Sequence, residues 1–370
     1  MQGFEWLLDF ERFAPACLRV ENRDDESRLT PLRFTDIQRE FVKQMAQQRL
    51  LVLKARQVRI STMCLAMNFH RAITKTGSHC VTVAQSGDAT KKLFNRVKIM
   101  HREMPVRIPI DKNNVKELSF SGMDSWYYIG TAGSRQFGRS DTLHRIHLTE
   151  FAFWESWEVF TGITQALAPD GSVVIESTPN GFNYFYDFVQ RAKMGAVPYK
   201  LLFFPWFVDR SYRDAAGVPE NEWTDEERVV ARKAATHGVA LDGNQVAWRR
   251  RRWAELVDDG GRSKFAQEYP EDDQTCFVSS GRPRFDVEHL NGLLAECGAT
   301  PLVERRQVDG TALTLKVWEK PQAGESYILG ADSAEGVSAG DNCSRVMLPR
   351  FTSPASPCSS CRCSSSMSCT

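Results

Sequence analysis

The sequence predicts an α/β fold organised around a phosphate-type turn, and three stretches carry that prediction. The first is Leu51-Val-Leu-Lys-Ala-Arg-Gln-Val-Arg-Ile-Ser-Thr62. An apolar run, Leu50 to Leu53, enters a polar turn, and an apolar-periodic run, Met63 to Ile73, leaves it as a helix. The second is Arg145-Ile-His-Leu-Thr-Glu150, an apolar strand ending in an acid. The third is Gly171-Ser-Val-Val-Ile-Glu-Ser-Thr-Pro-Asn-Gly181, a buried strand running into a polar turn. Strands alternating with helices in this way build a sheet covered by helices.

Taken in order, residues 1 to 30 are mixed and charge-rich, with Glu21 to Ser27 as an exposed loop. Phe34 to Phe41 opens a helix in which Thr35 suits the N-cap and Gln38 the reciprocal position of a capping box. The turn after Leu53 comes next. Free N–H groups and the positive end of the helix dipole there suit an anion. Lys54 and Arg56 add cations, and Ser61 or Thr62 offers a hydroxyl to Mg²⁺. The common pattern GxxxxGK[ST] is absent, and Arg59 stands where a glycine is usual.

His79 to Ala84 reads as a strand, and Asp88 to Met104 as a helix closed by Pro105. Its cations Lys91, Lys92, Arg96 and Lys98 suit a solvated face better than a DNA contact. Val115 to Phe120 and Ser125 to Gly130 form a hairpin around Gly122, and Gly130 to Asp141 is a basic Gly/Ser loop holding Arg139. Glu150 then has two readings. It is a carboxylate placed to orient water or Mg²⁺ beside a phosphate, or an acid favoured by a helix start. Tyr199 to Phe204 is the last strand of this region.

From Pro205 to about Gln322 the pattern is helical. Asn244 to Trp253 carries four arginines between tryptophans, which suit a solvated face with the aromatics turned inward. Ser326 to Gly336 contains an apolar strand ending in Asp332. Beyond Cys343 the chain turns rich in Ser, Pro and Cys.

Composition narrows the classes. A formal net charge of +1 gives no global basic field, so any DNA contact must be local. No apolar run is long enough for a membrane span, and the N-terminus lacks a signal-peptide pattern, which points to the cytoplasm rather than secretion. The ten cysteines are scattered like reduced thiols, apart from Cys358, Cys361, Cys363 and Cys369 in the tail. That tail is either a metal-binding cluster or an out-of-frame terminus, and its lack of any scaffold favours the second.

Lys54-Ala-Arg-Gln-Val-Arg-Ile-Ser-Thr62 resembles the variant phosphate loop of phage terminase large subunits, the DNA-packaging motors. The acid-ending strand and the Ser-Thr-Pro-Asn-Gly turn follow in the order of that family, and the resemblance covers residues 30 to 342. It implies a P-loop NTPase domain of the additional-strand (ASCE) type over 1–205 and a helical linker over 206–322. The first strand of an interrupted RNase H-like nuclease follows over 323–343, then an aberrant, disordered tail over 344–370. It implies ATP and Mg²⁺ as ligands, with Gln38, Lys54, Arg56, Gln57, Ser61 and Thr62 at the nucleotide. Ser61 would be the Mg²⁺ hydroxyl and Glu150 the base, where Thr149 replaces the usual aspartate. Arg56 and Arg139 would stabilise transition-state charge, Arg139 on a neighbouring subunit. Ser177, Thr178 and Asn180 would couple hydrolysis to motion, and Asp332 and Asp341 would be an incomplete nuclease metal set. The partners implied are double-stranded DNA, a small terminase subunit, a portal on the procapsid and further copies of the chain in a ring, in the host bacterial cytoplasm. Two rival readings are another P-loop enzyme such as a helicase, and a non-catalytic prophage remnant, which Arg59 and the tail favour.

Overall fold

The computed structural model describes residues 5–22, 28–114, 116–132, 142–257 and 264–277, with Lys320, Gln322 and the backbone of five strands between 304 and 368. The chain divides into two compact units, Met1–Arg282 and Pro283–Thr370.

The first unit begins with a helix that its charge-rich sequence hid. α1 (Phe10–Cys17) starts at Asp9, whose carboxylate accepts from the Glu11 and Arg12 N–H groups. β1 (Arg19–Glu21) and β2 (Leu29–Pro31) pair antiparallel. α2 (Asp36–Lys43) carries the expected capping box between Thr35 and Gln38. β3 (Arg49–Lys54) and α3 (Ile60–Thr74) flank the phosphate-type turn, and α3 starts ahead of the expected Met63. Then follow β4 (His79–Ala84), α4 (Gly87–Arg102), β5 (Ile110–Asn113), β6 (Glu117–Phe120), β7 (Ser125–Thr131) and β8 (Leu143–Thr149). The remaining elements of the sheet region are α5 (Glu158–Gln165), β9 (Leu167–Ser177), α6 (Tyr184–Lys193) and β10 (Lys200–Phe204).

One eight-stranded sheet runs β10-β3-β9-β8-β4-β7-β6-β5. It is parallel from β10 to β7 and antiparallel from β7 to β5. β3 is buried on both faces, which is why it reads as an unbroken apolar run. Leu50 and Val52 join one core with Met63, Leu65 and Phe69 of α3. Leu51 and Leu53 join the other with Phe185, Phe188 and Val189 of α6. β9 is inserted between β3 and β8, so the strand leading to Glu150 is not adjacent to the strand leading to Lys54.

The expected boundary at residue 205 is not a break in the core. α7 (Asp225–Thr236), α8 (Gly243–Glu255) and α9 (Phe265–Glu268) follow it. Trp206, Phe207, Tyr212, Trp248, Phe265 and Tyr269 bury themselves in the same core as α3, which takes their large apolar area out of water. The four arginines of α8 all meet acids. Arg249 pairs with Glu271, Arg250 with Glu227, Arg251 with Asp214, and Arg252 with Glu255. They tie the helical segment together, and the solvated-face reading holds only in part, since Arg249 is buried and Trp253 is exposed.

The second unit corrects two expectations. The 206–322 segment is not helical to its end: β11 (Glu304–Gln307) and β12 (Thr314–Val317) are strands. The tail is not without structure either, for β14 (Ser344–Pro349) pairs antiparallel with β13 (Tyr327–Asp332), and β15 (Ser365–Ser368) joins β14 to β12. The resulting order is β11-β12-β15-β14-β13, antiparallel throughout. Val346, Met347 and Leu348 give β14 its β-propensity, and backbone pairing needs nothing more of a serine-rich β15. Asp341 and the tail cysteines lie outside the described residues, as do Arg139 and its loop. Among the described residues Cys17, Cys64, Cys80 and Cys276 are free and buried, and no helix is long and apolar enough to cross a membrane.

Candidate functional site

The turn between β3 and α3 is held from four sides. Ala55 N–H donates to the Phe204 carbonyl at 2.8 Å, and Arg56 N–H to the Glu268 carbonyl at 2.9 Å. The Tyr212 hydroxyl donates to the Arg56 carbonyl, and Gln38 Nε2 to the Arg59 carbonyl at 3.2 Å. Gln57 and Arg59 both have φ +64°. The chain thus makes a left-handed turn twice without glycine, and the surrounding contacts hold it there. Above the turn lies a cavity of about 1230 Å³, lined among others by Gln38, Lys54, Arg56, Gln57, Arg59, Ser61, Thr62 and Glu150. Every nucleotide residue expected from the sequence therefore meets one space. Arg96 of α4 also lines it, so this cation is not merely part of a solvated face.

Lys54 sits at the centre, only 3% exposed. Its Nζ lies 3.2 Å from Glu150 Oε1 and 3.1 Å from Glu176 Oε2. Burial pushes the ammonium down, but Glu150 and Glu176 outweigh it and hold the group above its ordinary value. Glu176 is fully buried near the end of β9. Burial opposes its charge too, yet Lys54 and His147 hold its carboxyl below the ordinary range. Its Oε1 accepts from Ser61 Oγ at 2.7 Å and lies 3.2 Å from His147 Nε2. His147 Nδ1 in turn lies 3.3 Å from Thr82 Oγ1. Glu176 was absent from the expected set. The available signal was a lone charged residue inside the apolar run of β9.

Glu150 closes β8 in a left-handed conformation, φ +50° and ψ +45°. A non-glycine residue there costs energy and commonly marks a working site. The segment after it is gripped by the turn that follows β9. Ala152 N–H donates to Ser177 Oγ at 3.1 Å, and the Ala152 carbonyl accepts from Asn180 Nδ2 at 3.1 Å and Asn183 Nδ2 at 2.7 Å. Thr178 is buried beside them. Ser177 and Asn180 thus touch the chain two residues beyond Glu150, and Asn183, not expected, completes the clamp.

Two expected residues have other partners. Arg56 is bound by Glu268 at 2.7 Å, which raises its pKa. Gln38 spends its Oε1 on the Thr35 N–H at 2.9 Å, so the capping role is real and the amide also reaches the turn.

Fold and site together define an α/β domain in which the turn between β3 and α3, a buried lysine at the end of β3 and the glutamate that follows β8 meet at one cavity. The sequence matches no family model and no curated protein. Among solved structures the chain is similar to the large terminase of bacteriophage HK97, at 14% identity and a TM-score of 0.53, over 95% of this chain and 66% of that one. It therefore has a terminase fold and spans just under two thirds of that protein's length. Also similar are the ATPase domain of a Thermus phage large terminase (19% identity, TM-score 0.44, 66% of this chain and 98% of that one) and the large terminase of a thermophilic bacteriophage in complex with ADP (9% identity, TM-score 0.42, 83% and 61%).

Proposed function

We propose that this chain is the ATP-hydrolysing subunit of a motor that drives double-stranded DNA into a viral procapsid. The observation that carries this reading is the meeting of Lys54 and Glu150, 3.2 Å apart, at the ends of two parallel strands separated by β9. A cation for the phosphates and a carboxylate to orient water are the two parts phosphoryl transfer requires beside a helix N-terminus. The inserted strand and the strand-end glutamate agree with an ASCE-type P-loop enzyme. In the arrangement described here Lys54 occupies Glu150, and phosphate arriving at Lys54 frees the carboxylate to take a proton from water.

Mg²⁺ fits beside Ser61, whose hydroxyl lines the cavity next to the carboxylates Glu150 and Glu176. Ser61 would hold it, because its hydroxyl spends its proton on Glu176 and keeps lone pairs for a metal. Bound there, Mg²⁺ supplies charge neutralisation at the phosphates. Gln38, Gln57 and Thr62 complete the nucleotide contacts, and Arg56 stabilises transferring charge once released from Glu268. Ser177, Thr178 and Asn180 transmit the state of Glu150 through Ala152. By the same reading Arg139 reaches a neighbouring subunit's nucleotide in a homo-oligomeric ring that works with a small subunit and a portal in the bacterial cytoplasm. We assign no DNA cleavage to the chain, since Asp332 and Asp341 are two carboxylates where holding two metal ions takes several.

The test is ATP turnover by the purified chain with and without DNA. Hydrolysis stimulated by duplex DNA, with no separation of the strands of a forked duplex, supports a packaging motor. Unwinding of the fork would replace it with a helicase. A second reading, a non-catalytic remnant, is favoured by the non-glycine left-handed residues Gln57 and Arg59, and absence of turnover in all conditions would select it.

A further inference from the structure

In the P-loop enzymes that hold Mg²⁺ with a loop serine or threonine, an aspartate on the acid-ending strand assists it. Here the residue before Glu150 is Thr149, which has no carboxylate. Thr149 and Glu176 are register partners across the β8–β9 pair, so the two side chains leave the sheet on the same face, side by side. The carboxylate missing from β8 is present one strand over. We propose that Glu176 is the positioning residue of the metal site, doing from β9 what an aspartate at position 149 does elsewhere. The proposal rests on the ATPase reading and adds to it a residue that motif comparison alone passes over.

The geometry supports this in three ways. Ser61 Oγ donates to Glu176 Oε1 at 2.7 Å, which fixes the hydroxyl rotor and turns its lone pairs away from the carboxylate. A carboxylate accepting from a metal-binding group raises that group's basicity and fixes its orientation. Glu176 Oε2 faces Lys54 at 3.1 Å as an ion pair without an aligned hydrogen bond. When Lys54 turns to a phosphate, this oxygen is released to accept from a water beside the cation. Finally, Glu176 is 0% exposed, and a charge placed that deep, in a strand whose other buried positions are uncharged, is expensive to keep. The polar groups against it are Lys54, Ser61, His147 and the Thr149 hydroxyl, and the first two are phosphate-loop residues.

The experiment follows a fluorescent ADP analogue and titrates Mg²⁺ into its complex with the full chain. Loss of an outer carboxylate typically weakens a metal site by about 10–100-fold. In Glu176→Gln, which keeps the side chain's shape and leaves Lys54 paired with Glu150, the Mg²⁺ midpoint is expected to rise by that factor. Affinity for the analogue in EDTA should stay within about twofold. The swap variant, Thr149→Asp with Glu176→Thr, should return the midpoint toward the parent's, a rescue that a purely structural role does not give. An unchanged midpoint in Glu176→Gln, or equal loss of binding with and without Mg²⁺, overturns the proposal. If Glu176→Gln does not fold, the swap decides alone: a parental midpoint supports the assignment and a raised one defeats it. A parent that binds no nucleotide defeats the ATPase reading itself, whereas a parent with a normal midpoint that Glu176→Gln leaves unmoved defeats only the role of Glu176.

Discussion

Arg59 shows how one residue sets the quality of the turn. It was suspect from sequence because glycine is usual there, and its φ of +64° gives the reason. A left-handed residue with a Cβ costs roughly 1–2 kcal/mol. Glycine would recover that but lose about 0.5–1 kcal/mol to the greater freedom of the unfolded chain. The net stability gain from Arg59→Gly should therefore be small, and turnover is the better readout. A guanidinium beside the phosphate positions competes with Lys54 for the anion or binds it in an unproductive pose. Arg59→Gly is expected to raise ATP turnover about tenfold or more, equivalent to ~1.4 kcal/mol of barrier. Equal rates would show that this turn tolerates arginine. Gln57, expected at the nucleotide, has the same φ, a strain that nothing in the sequence signalled.

At the scale of elements, the parallel sheet was legible because its strands are apolar on both faces and its helices are periodic. β3, β4, β8 and β9 all lie where their apolar runs said. α1 was hidden by charged residues on its outer face, and β5 by its polar sequence, since edge strands bury little. The helical segment after β10 was legible as helices but not as part of the same core, because its aromatics have partners far away in sequence. Its acids also carry stability that no pattern reveals. Asp272 accepts from Lys233 Nζ and Thr275 Oγ1, each at 2.6 Å. Burial works against the charge, but these donors hold the carboxyl down at about 2 against an ordinary 3.8. A depressed carboxyl stabilises the fold above its unfolded value and loses that contribution as pH falls through the folded one. Asp272→Asn should therefore be less stable than the parent by a constant amount from pH 8 to 5, with the difference shrinking between about pH 4 and 2. Urea midpoints across that range check this, and a gap that stays flat to pH 2 would show that folding does not depress the carboxyl.

At the scale of the whole molecule, the site depends on long-range closure. Lys54 and Glu150 line one cavity in the first unit, and residues distant in sequence hold its lining in place: Glu176 pairs with Lys54, Tyr212 binds the Arg56 carbonyl and Glu268 pairs with Arg56. The sequence supplied Lys54, Ser61 and Glu150, each at the end or start of an element where a motif is local. For Glu176 it offered only a charge in an apolar run, and the role proposed for it rests on its standing opposite Thr149. The central claim is that Glu150 activates water for ATP hydrolysis. Lys54 is a poor residue to test it with, because removing a buried cation leaves carboxylates uncompensated and costs about 3–5 kcal/mol of folding. Glu150 is partly exposed, and Glu150→Gln keeps its shape. The decisive measurement is single-turnover ATP hydrolysis by Glu150→Gln beside the parent, with nucleotide binding measured on the same samples. Binding should be retained, within a fewfold, while the hydrolysis rate falls by about 10²–10⁴, the typical contribution of a positioned general base. A variant that binds ATP and hydrolyses it at the parental rate would contradict the assignment.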